Sequence, residues 1–335
     1  MKQVPLLSVE NLTTVFDVMP RPVVAVNDVS FEIRKGETLG LVGESGSGKS
    51  VTAFSIIGLL QPPGRLAGGR VMFQGRDLAQ LPEPEMRKVR GAGIGFVFQE
   101  PMAALNPVMR VGAHIAEALV VHGLASKTDA RDRAVELLRA VKITDPEKRV
   151  DDYPHQLSGG MRQRVMMAVA LACKPPLVIA DEPTTALDVT VQAQILDLLR
   201  DMKQQFDLSL LLITHDLGVI AETADRVAVM YAGRIVEQGT VREIFHQPKH
   251  PYTRGLLASI PGGAAGSRLR AIEGTVPNLA SLPPGCSFAP RCGDRLGVCD
   301  SAFPPQTAVA GDLSTVALGA QVEHAVRCYL NEGQP

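Results

Sequence analysis

The chain has 335 residues, of which 21% are charged, and a formal net charge of −1 at pH 7. This length suffices for one large domain with an appendage, or for two domains, and either arrangement can bury a core. Acidic and basic residues are interspersed without a basic stripe, so the composition argues against nucleic-acid binding and against a charged tail that binds membranes.

The N-terminal segment does not resemble a secretory signal. Residues 1–7 have neither a long apolar core nor a small-residue cleavage site. No apolar stretch approaches the roughly 18 residues that span a bilayer. We therefore expect a soluble, cytoplasmic protein, in a compartment where thiols stay reduced.

Short β-prone runs lie near the start of the chain, at Leu7–Thr13, Val29–Ile33 and Val71–Phe73. These runs predict a small antiparallel layer. Between the second and third runs, Glu37–Val42 is short, apolar and β-prone, as expected of a buried strand.

A phosphate-binding loop follows this strand. Residues 43–50 read Gly-Glu-Ser-Gly-Ser-Gly-Lys-Ser, which fits the Gly-x-x-x-x-Gly-Lys-Ser/Thr pattern. Glycines let the backbone N–H groups surround a polyphosphate, Lys49 places a charge near the β- and γ-phosphates, and the Ser50 hydroxyl can bind Mg²⁺. The predicted helix Val51–Leu60 adds its positive N-terminal end. The loop residues expected to contact nucleotide are Gly43, Ser45, Gly46, Ser47, Gly48, Lys49 and Ser50.

The middle of the chain is predicted to be helical. From about Pro101 to Leu157 apolar residues recur at helical spacing, most clearly within Asp129–Val141. Beyond it, Leu177–Ala180 and Leu210–Ile213 are continuous apolar runs separated by the helical stretch Val189–Phe206. Such runs are typical of parallel strands covered on both faces, so we predict an α/β core with a largely parallel sheet.

Two acids end the first of these strands. A buried parallel strand delivers Asp181 to its carboxyl tip, where nucleotide sites in open α/β sheets lie. Asp181 can hold the Mg²⁺ shell there, and Glu182 can take a proton from the water that attacks the γ-phosphate. The alternative interpretation is an acidic cap at a strand-to-helix turn.

A second potential anion site precedes the helical run Val165–Ala172. Ser158 is a good N-cap, and Gly159 and Gly160 leave the first-turn N–H groups uncovered. A single nucleotide does not obviously need two such sites.

Together, the phosphate loop, this serine-glycine-glycine signature and the run Asp-Glu-Pro-Thr-Thr-Ala-Leu-Asp at 181–188 resemble an ATP-binding-cassette (ABC) ATPase over about residues 5–260. The resemblance implies a parallel-sheet P-loop core, an antiparallel β layer and a helical subdomain at about 101–165. It also implies ATP and Mg²⁺ as ligands. In that family two ATPases form a dimer, in which each ATP lies between one chain's phosphate loop and the other chain's signature, so the second anion site is accounted for.

The resemblance assigns roles to three further residues. Gln99 matches the glutamine that touches Mg²⁺ or the attacking water and moves with membrane subunits. His215 matches the histidine that contacts the γ-phosphate, and Asp188 matches the loop that acts across the dimer. Met161 departs from the glutamine found in many cassettes, but it follows the two glycines, and we expect activity to survive this change. Phe16 aligns loosely with an aromatic residue that stacks on adenine, which is the favoured interpretation, and a phenylalanine packed in a strand is the close alternative.

Features outside the shared core resemble the ATPases of dipeptide and oligopeptide importers. They are the run Glu-Pro-Met-Ala-Ala-Leu-Asn-Pro at 100–107, Tyr-Pro-His-Gln-Leu at 153–157 and His-Pro-Tyr-Thr at 250–253. This resemblance implies uptake of short peptides with two membrane permeases, an external peptide-binding protein and a second, related ATPase. It also implies attachment through the permeases to the cytoplasmic face of the inner membrane.

Four of the five cysteines fall in a Pro/Gly-rich tail, which begins near Gly262. Cys286, Cys292, Cys299 and Cys328 are separated by five, six and 28 residues. A reducing compartment favours metal over disulfides, and this spacing leaves zinc, an iron–sulfur cluster and no metal open. The importer resemblance implies a [4Fe-4S] cluster. Cys173, alone at the end of an apolar helix, is interpreted as a small buried hydrophobe.

These observations predict an ABC ATPase domain at 1–260 and a Cys-containing extension at 261–335. The leading function is an ATP-driven importer of dipeptides or oligopeptides, without a role in nucleic-acid binding. Importers of other solutes, such as nickel or antimicrobial peptides, remain alternatives. So do a non-transport ABC ATPase and a redox-regulated subunit whose cysteines sense oxidation.

Overall fold

The computed structural model describes residues 4–260, 272–309 and 324–331. Residues 1–3 and the glycine-rich run from Gly262 lie outside these ranges. The predicted domain boundary at 260/261 falls at the edge of the first range. The strands of the described residues are, in chain order, β1 (Leu7–Phe16), β2 (Val23–Ile33), β3 (Thr38–Val42), β4 (Gly64–Phe73), β5 (Arg76–Asp77), β6 (Ile94–Val97), β7 (Leu177–Asp181), β8 (Ser209–Thr214), β9 (Arg226–Tyr231), β10 (Arg234–Thr240), β11 (Thr307–Val309) and β12 (His324–Val326).

The helices of the same residues are α1 (Lys49–Ile56), α2 (Glu83–Val89), α3 (Pro101–Ala104), α4 (Val111–Val121), α5 (Ala130–Ala140), α6 (Pro146–Arg149), α7 (Gly159–Leu171), α8 (Val189–Phe206), α9 (Leu217–Thr223), α10 (Val241–His246) and α11 (Pro251–Ala258). Within the described ranges, no helix is both long enough and apolar enough to cross a membrane.

The chain divides into two compact units. The first comprises Met1–Arg34, Thr38–Ala79 and Thr214–Pro335, and the second comprises Lys35–Glu37 and Gln80–Ile213. The phosphate loop and the four tail cysteines belong to the first unit, and Cys173 belongs to the second. Gln99, the signature and the two acids at the end of β7 also belong to the second unit.

The first unit contains the predicted antiparallel layer, with the strand order β2-β1-β4-β5. The strands β1, β2 and β4 are all longer than the sequence predicts. The reason is that β1 continues to Phe16, which pairs with Val23 of β2 and with Gly64 of β4. Glycines depress strand propensity in the first half of β4, but the cross-strand pairing outweighs this local preference.

A second set of strands in this unit carries the phosphate loop. β3 pairs in parallel with β9, and β9 pairs in antiparallel fashion with β10. Every residue of β3 is buried, as expected for a strand covered on both faces. The helix after the loop ends at Ile56, four residues before the predicted end, because Gly58 adopts φ +62° and Leu59 N–H bonds back to the Phe54 carbonyl.

The second unit holds three parallel strands in the order β6-β7-β8. The prediction of a parallel α/β core is confirmed, and β7 and β8 are buried along their whole lengths. The predicted helix Val189–Phe206 agrees with α8 at both ends. The middle segment is helical as predicted, in four helices from α3 to α6.

Candidate functional site

Backbone geometry in the phosphate loop requires glycine at two positions. Gly48 has φ +103°, and a Cβ there would lie 2.6 Å from the Ala25 carbonyl oxygen and 2.8 Å from Met230 Cε. A Cβ on Gly43 would lie 2.1 Å from the Met230 carbonyl oxygen. The loop is thus packed against β9 and β2 on one side, and no larger residue fits either position.

The other side of the loop is open. Ser45 and Gly46 are exposed. Gly46 has φ +76°, and nothing lies within 4 Å of the position of its Cβ. The Ser47 hydroxyl is buried and has no hydrogen-bond partner among the described residues. An open cradle of backbone beside an unsatisfied hydroxyl suits an oxygen-rich anion, so the residues present fit a polyphosphate.

Lys49 is drawn into the loop. It is 4% exposed, and its Nζ donates to the carbonyl oxygens of Gly43 at 2.8 Å and Glu44 at 3.0 Å. Ser50 follows it in the first turn of α1. The lysine charge is therefore already held at the loop, where it can neutralise phosphate.

The two acids lie at the end of β7. Asp181 is 2% exposed and pairs with Ile213 of the neighbouring β8. Glu182 follows with φ +45°, and its backbone N–H donates to the Ile213 carbonyl. A left-handed backbone is unusual for glutamate, and residues held this way cluster at functional sites.

Gln99 and Glu182 are brought together in the second unit. Gln99 Nε2 donates to Glu182 Oε2 at 3.2 Å, and Thr185 Oγ1 donates to the same oxygen at 2.7 Å. Sequence reasoning missed Thr185. Its place three residues after Glu182, in a turn, was the signal that could have revealed it.

The signature caps α7 as predicted. Ser158 Oγ accepts from Met161 N–H at 3.3 Å, and Met161 does not disturb the helix start. A Cβ on Gly160 would lie 2.7 Å from Val191 of α8, so this helix contact requires glycine, whereas Gly159 makes only ordinary contact. Asp188 caps α8 by accepting from Val191 N–H at 2.9 Å.

His215 and Phe16 are placed by the strands that carry them. His215 is exposed immediately after β8 and precedes Asp216, whose carboxylate caps α9. Phe16 is half-buried at the end of β1, with its ring against Gly64 of β4. That packing suits a strand residue, and stacking on adenine stays a prediction.

The four tail cysteines converge on one cavity. Its lining includes Cys286, Cys292, Cys299 and Cys328. All four carry free thiols. Burial raises the pKa of Cys286 and Cys292, and raises that of Cys328 to about 11. Cys173 lies elsewhere, half-buried, with its thiol toward the Ala118 carbonyl at 3.6 Å, as expected of a packing residue.

The cysteines are not arranged around a single ion. Within the described ranges, no group of three or more His, Cys, Asp or Glu side chains is close enough to hold one. Zinc at about 2.3 Å from each sulfur would need thiolates only about 4 Å apart. Four cysteine thiols are the donor type that an iron–sulfur cluster takes.

Comparison with known proteins identifies two family regions. The family model described as "ABC transporter" matches residues 26–185, and the one described as "Oligopeptide/dipeptide transporter, C-terminal region" matches residues 236–299. The second match includes three of the four tail cysteines, Cys286, Cys292 and Cys299.

Characterised relatives match almost the whole chain. The dipeptide transport ATP-binding protein DppD of Bacillus subtilis is 53% identical, over 96% of this chain and 97% of its own. The oligopeptide transport ATP-binding protein OppD of Escherichia coli is 51% identical, over 92% of this chain and 91% of its own.

Solved structures match the cassette portion. The ATP-binding cassette MJ0796, in a dimeric post-hydrolysis state with ADP and phosphate, has a TM-score of 0.64 and 29% identity, covering 70% of this chain and 99% of that one. The remaining part of this chain has no counterpart in that cassette.

Proposed function

The chain belongs to the ABC transporter ATPases, in the group with an oligopeptide/dipeptide-type C-terminal region, and we propose that it powers the import of short peptides. The observation that carries this proposal is near full-length identity of 53% to a dipeptide transport ATP-binding protein, together with a phosphate loop whose open side fits a polyphosphate.

In the proposed site, ATP phosphates lie on the open side of the loop. The groups that bind them are the backbone N–H groups and side chains of Gly43, Ser45, Gly46, Ser47, Gly48, Lys49 and Ser50. Ser50, Gln99 and Asp181 would hold Mg²⁺, which neutralises phosphate charge when bound. Phe16 is proposed to stack on adenine.

Glu182 is proposed as the general base. Its carboxylate takes the proton of the water that attacks the γ-phosphate, and Gln99 and Thr185 hold the carboxylate in place through the oxygen they share. His215 contacts the γ-phosphate. These roles are supported by the left-handed Glu182 backbone and by the hydrogen bonds that it receives.

Each ATP is proposed to be shared between two ATPases. Ser158, Gly159 and Gly160 at the start of α7 supply the second anion-binding surface to the partner's nucleotide, and Asp188 acts across the same interface. The partner is proposed to be a second, related ATPase. Two membrane permeases and an external peptide-binding protein complete the importer, with this chain on the cytoplasmic face of the inner membrane.

The four tail cysteines are proposed to hold a [4Fe-4S] cluster, which would supply a cross-link for the tail and a one-electron redox centre. The support is that all four thiols line one cavity. The proposed layout remains an ATPase domain at 1–260, with a helical subdomain at about 101–165, and an extension at 261–335.

Substrate choice is tested by stimulation of hydrolysis. The chain is assembled in liposomes with the permeases, second ATPase and binding protein encoded beside it, and ATP turnover is measured with dipeptides, oligopeptides or nickel ions. Peptide-dependent stimulation supports the proposal. Stimulation by nickel alone would indicate that the importer carries nickel instead of peptides. Stimulation by none of these would indicate another solute or a non-transport role.

A further inference from the structure

Glu44, the first variable residue of the phosphate loop, is held at its backbone N–H, its carbonyl oxygen and its carboxylate. Its backbone N–H donates to the Tyr252 hydroxyl at 2.9 Å. Its carbonyl oxygen accepts from Lys49 Nζ. Its carboxylate accepts from both terminal nitrogens of Arg291, at 2.7 and 3.1 Å. The loop is thus tied at a single residue to two distant parts of the chain.

The two residues that bond Glu44 from distant parts of the chain, Tyr252 and Arg291, both follow the strands that carry the phosphate loop. Tyr252 lies in α11 and is fully buried. Arg291 ends the short 3-10 turn Ala289–Arg291, with its side chain only 5% exposed. The hydrogen bonds to Glu44 raise the pKa of Arg291. Paired hydrogen bonds between a buried guanidinium and a carboxylate fix the carboxylate in position and direction.

The segment around Arg291, which bonds the phosphate loop through Glu44, also lines the cavity of the four tail cysteines. Arg291 directly precedes Cys292, and Phe288 and Cys286 line the same cavity. Phe288 packs edge-on against Tyr231 at 5.3 Å between ring centroids and lies 5.4 Å from Tyr252. Aromatic packing therefore connects the cavity wall to the residue that bonds Glu44.

Arg291 is also bonded to backbone carbonyls on the side away from Glu44. Its Nε donates to the Glu273 carbonyl at 3.0 Å and Nη2 donates to the Ile272 carbonyl at 3.3 Å, so the guanidinium is held from behind while it reaches Glu44. A loop that binds phosphate through backbone N–H groups gains affinity from being fixed before the ligand arrives.

We propose that Arg291 and Tyr252 are positioning residues, which hold the phosphate loop in its nucleotide-accepting shape and make ATP affinity depend on the fold of the cysteine-bearing region. The inference rests on the proposed nucleotide site and is independent of which solute the importer carries.

The test compares Arg291→Gln with Arg295→Gln in the full chain. Arg295 is a matched control because it lies in the same region but forms an exposed ion pair with Asp300. Titration with a fluorescent ATP analogue is expected to give about tenfold weaker binding for Arg291→Gln and unchanged binding for Arg295→Gln. Equal affinities for the two variants would overturn the proposal.

Two further measurements separate positioning from a general loss of structure. Tyr252→Phe removes only the hydroxyl and keeps the ring, so it should remain folded by circular dichroism and still bind ATP less tightly. In a double-mutant cycle, Glu44→Gln with Arg291→Gln should bind no more weakly than either single variant, because both changes break one interaction. Fully additive losses would contradict the pairing. A wild-type chain that binds no nucleotide would instead overturn the proposed ATP site itself.

Discussion

Gln99 donates a hydrogen bond of 3.2 Å from its Nε2 to Oε2 of Glu182. The two residues are 83 positions apart and come from the ends of β6 and β7, which are neighbouring parallel strands. Parallel strands deliver their carboxyl ends to one edge of the sheet, so an amide and a carboxylate meet there. Since Thr185 bonds the same oxygen, the Glu182 carboxylate is oriented before any substrate is bound.

Glu182→Gln should bind ATP and hydrolyse it about 10²–10⁴-fold more slowly, because the amide keeps the shape of the side chain but cannot accept a proton. Nucleotide binding and single-turnover hydrolysis are measured on the same preparation. Glu136→Gln, an exposed acid on α5, is the control and should hydrolyse ATP at the normal rate. Near-normal turnover in Glu182→Gln would remove this residue as the base.

Lys49→Ala should weaken ATP binding by about tenfold to a hundredfold, the range for hydrogen bonds to a charged group. The loss arises because the Nζ charge held at the loop is removed, together with its bonds to two loop carbonyls. Titration calorimetry with ATP and with adenosine gives the check. Adenosine lacks phosphates, so its weak binding should be unchanged, and an equal loss for both ligands would place Lys49 away from the phosphates.

Comparison of Gly48→Ala with Gly75→Ala separates the cost of a strained backbone from the cost of a steric clash at the added methyl group. Both glycines have a left-handed backbone, at φ +103° and +81°, but only a Cβ at Gly48 meets neighbouring atoms. Gly75→Ala should lower the free energy of unfolding by about 1 kcal/mol. Gly48→Ala should cost more and also weaken ATP binding. Urea unfolding measures the free energy of unfolding of each variant. Equal losses in the two variants would show that the phosphate loop rearranges to accommodate the added methyl group.

Cys292→Ser should remove iron and the brown colour from anaerobically purified protein, since this thiol lines the proposed cluster cavity. Cys173→Ser is the matched control, because this half-buried cysteine lies outside that cavity and should leave the spectrum unchanged. Iron content and the ultraviolet–visible spectrum are measured for both variants. An unchanged spectrum and iron content in Cys292→Ser would contradict the assignment of the cluster.

Acid should destabilise the chain partly through Glu237, which is fully buried. Burial alone would raise its pKa, but bonds from His324 and from the backbone N–H groups of Lys249 and His250 lower the pKa below 4.5. The Glu237 carboxylate therefore binds a proton more tightly in the unfolded chain than in the folded one. The stabilisation from this residue is fully present above about pH 4.5 and is lost as the pH falls through the pKa that Glu237 has in the folded state.

Glu237→Gln tests this pH dependence, because the amide does not titrate. Thermal unfolding of the variant should fall less steeply than that of the wild type as the pH drops below about 5. Parallel curves for the two proteins would show that Glu237 contributes nothing to acid sensitivity.

The sequence predicted those elements whose signals are local. Continuous apolar runs identified β3, β7 and β8 because parallel strands buried on both faces need apolar residues at every position. The bounds of α8 were predicted to the residue, and in the fold Asp188 caps the start of the helix and a left-handed Asp207 ends it.

Other features depend on contacts between residues far apart, and no local pattern reveals them. The lengths of β1 and β4 are set by their pairing, not by the glycines within β4. The Glu44–Arg291 pair joins residues 247 positions apart. The cysteine spacing likewise left the tail's chemistry open, and only the folded chain brings its four thiols to one cavity.

The central claim is that ATP hydrolysis by this chain drives peptide import, and uptake into proteoliposomes tests it most directly. The full importer is assembled with ATP enclosed beside this chain, and entry of a labelled dipeptide from the binding protein is followed for the wild type and Glu182→Gln. We predict accumulation with the wild type and none beyond background with the variant. ATP hydrolysis without peptide entry, or equal entry with both proteins, would contradict the account.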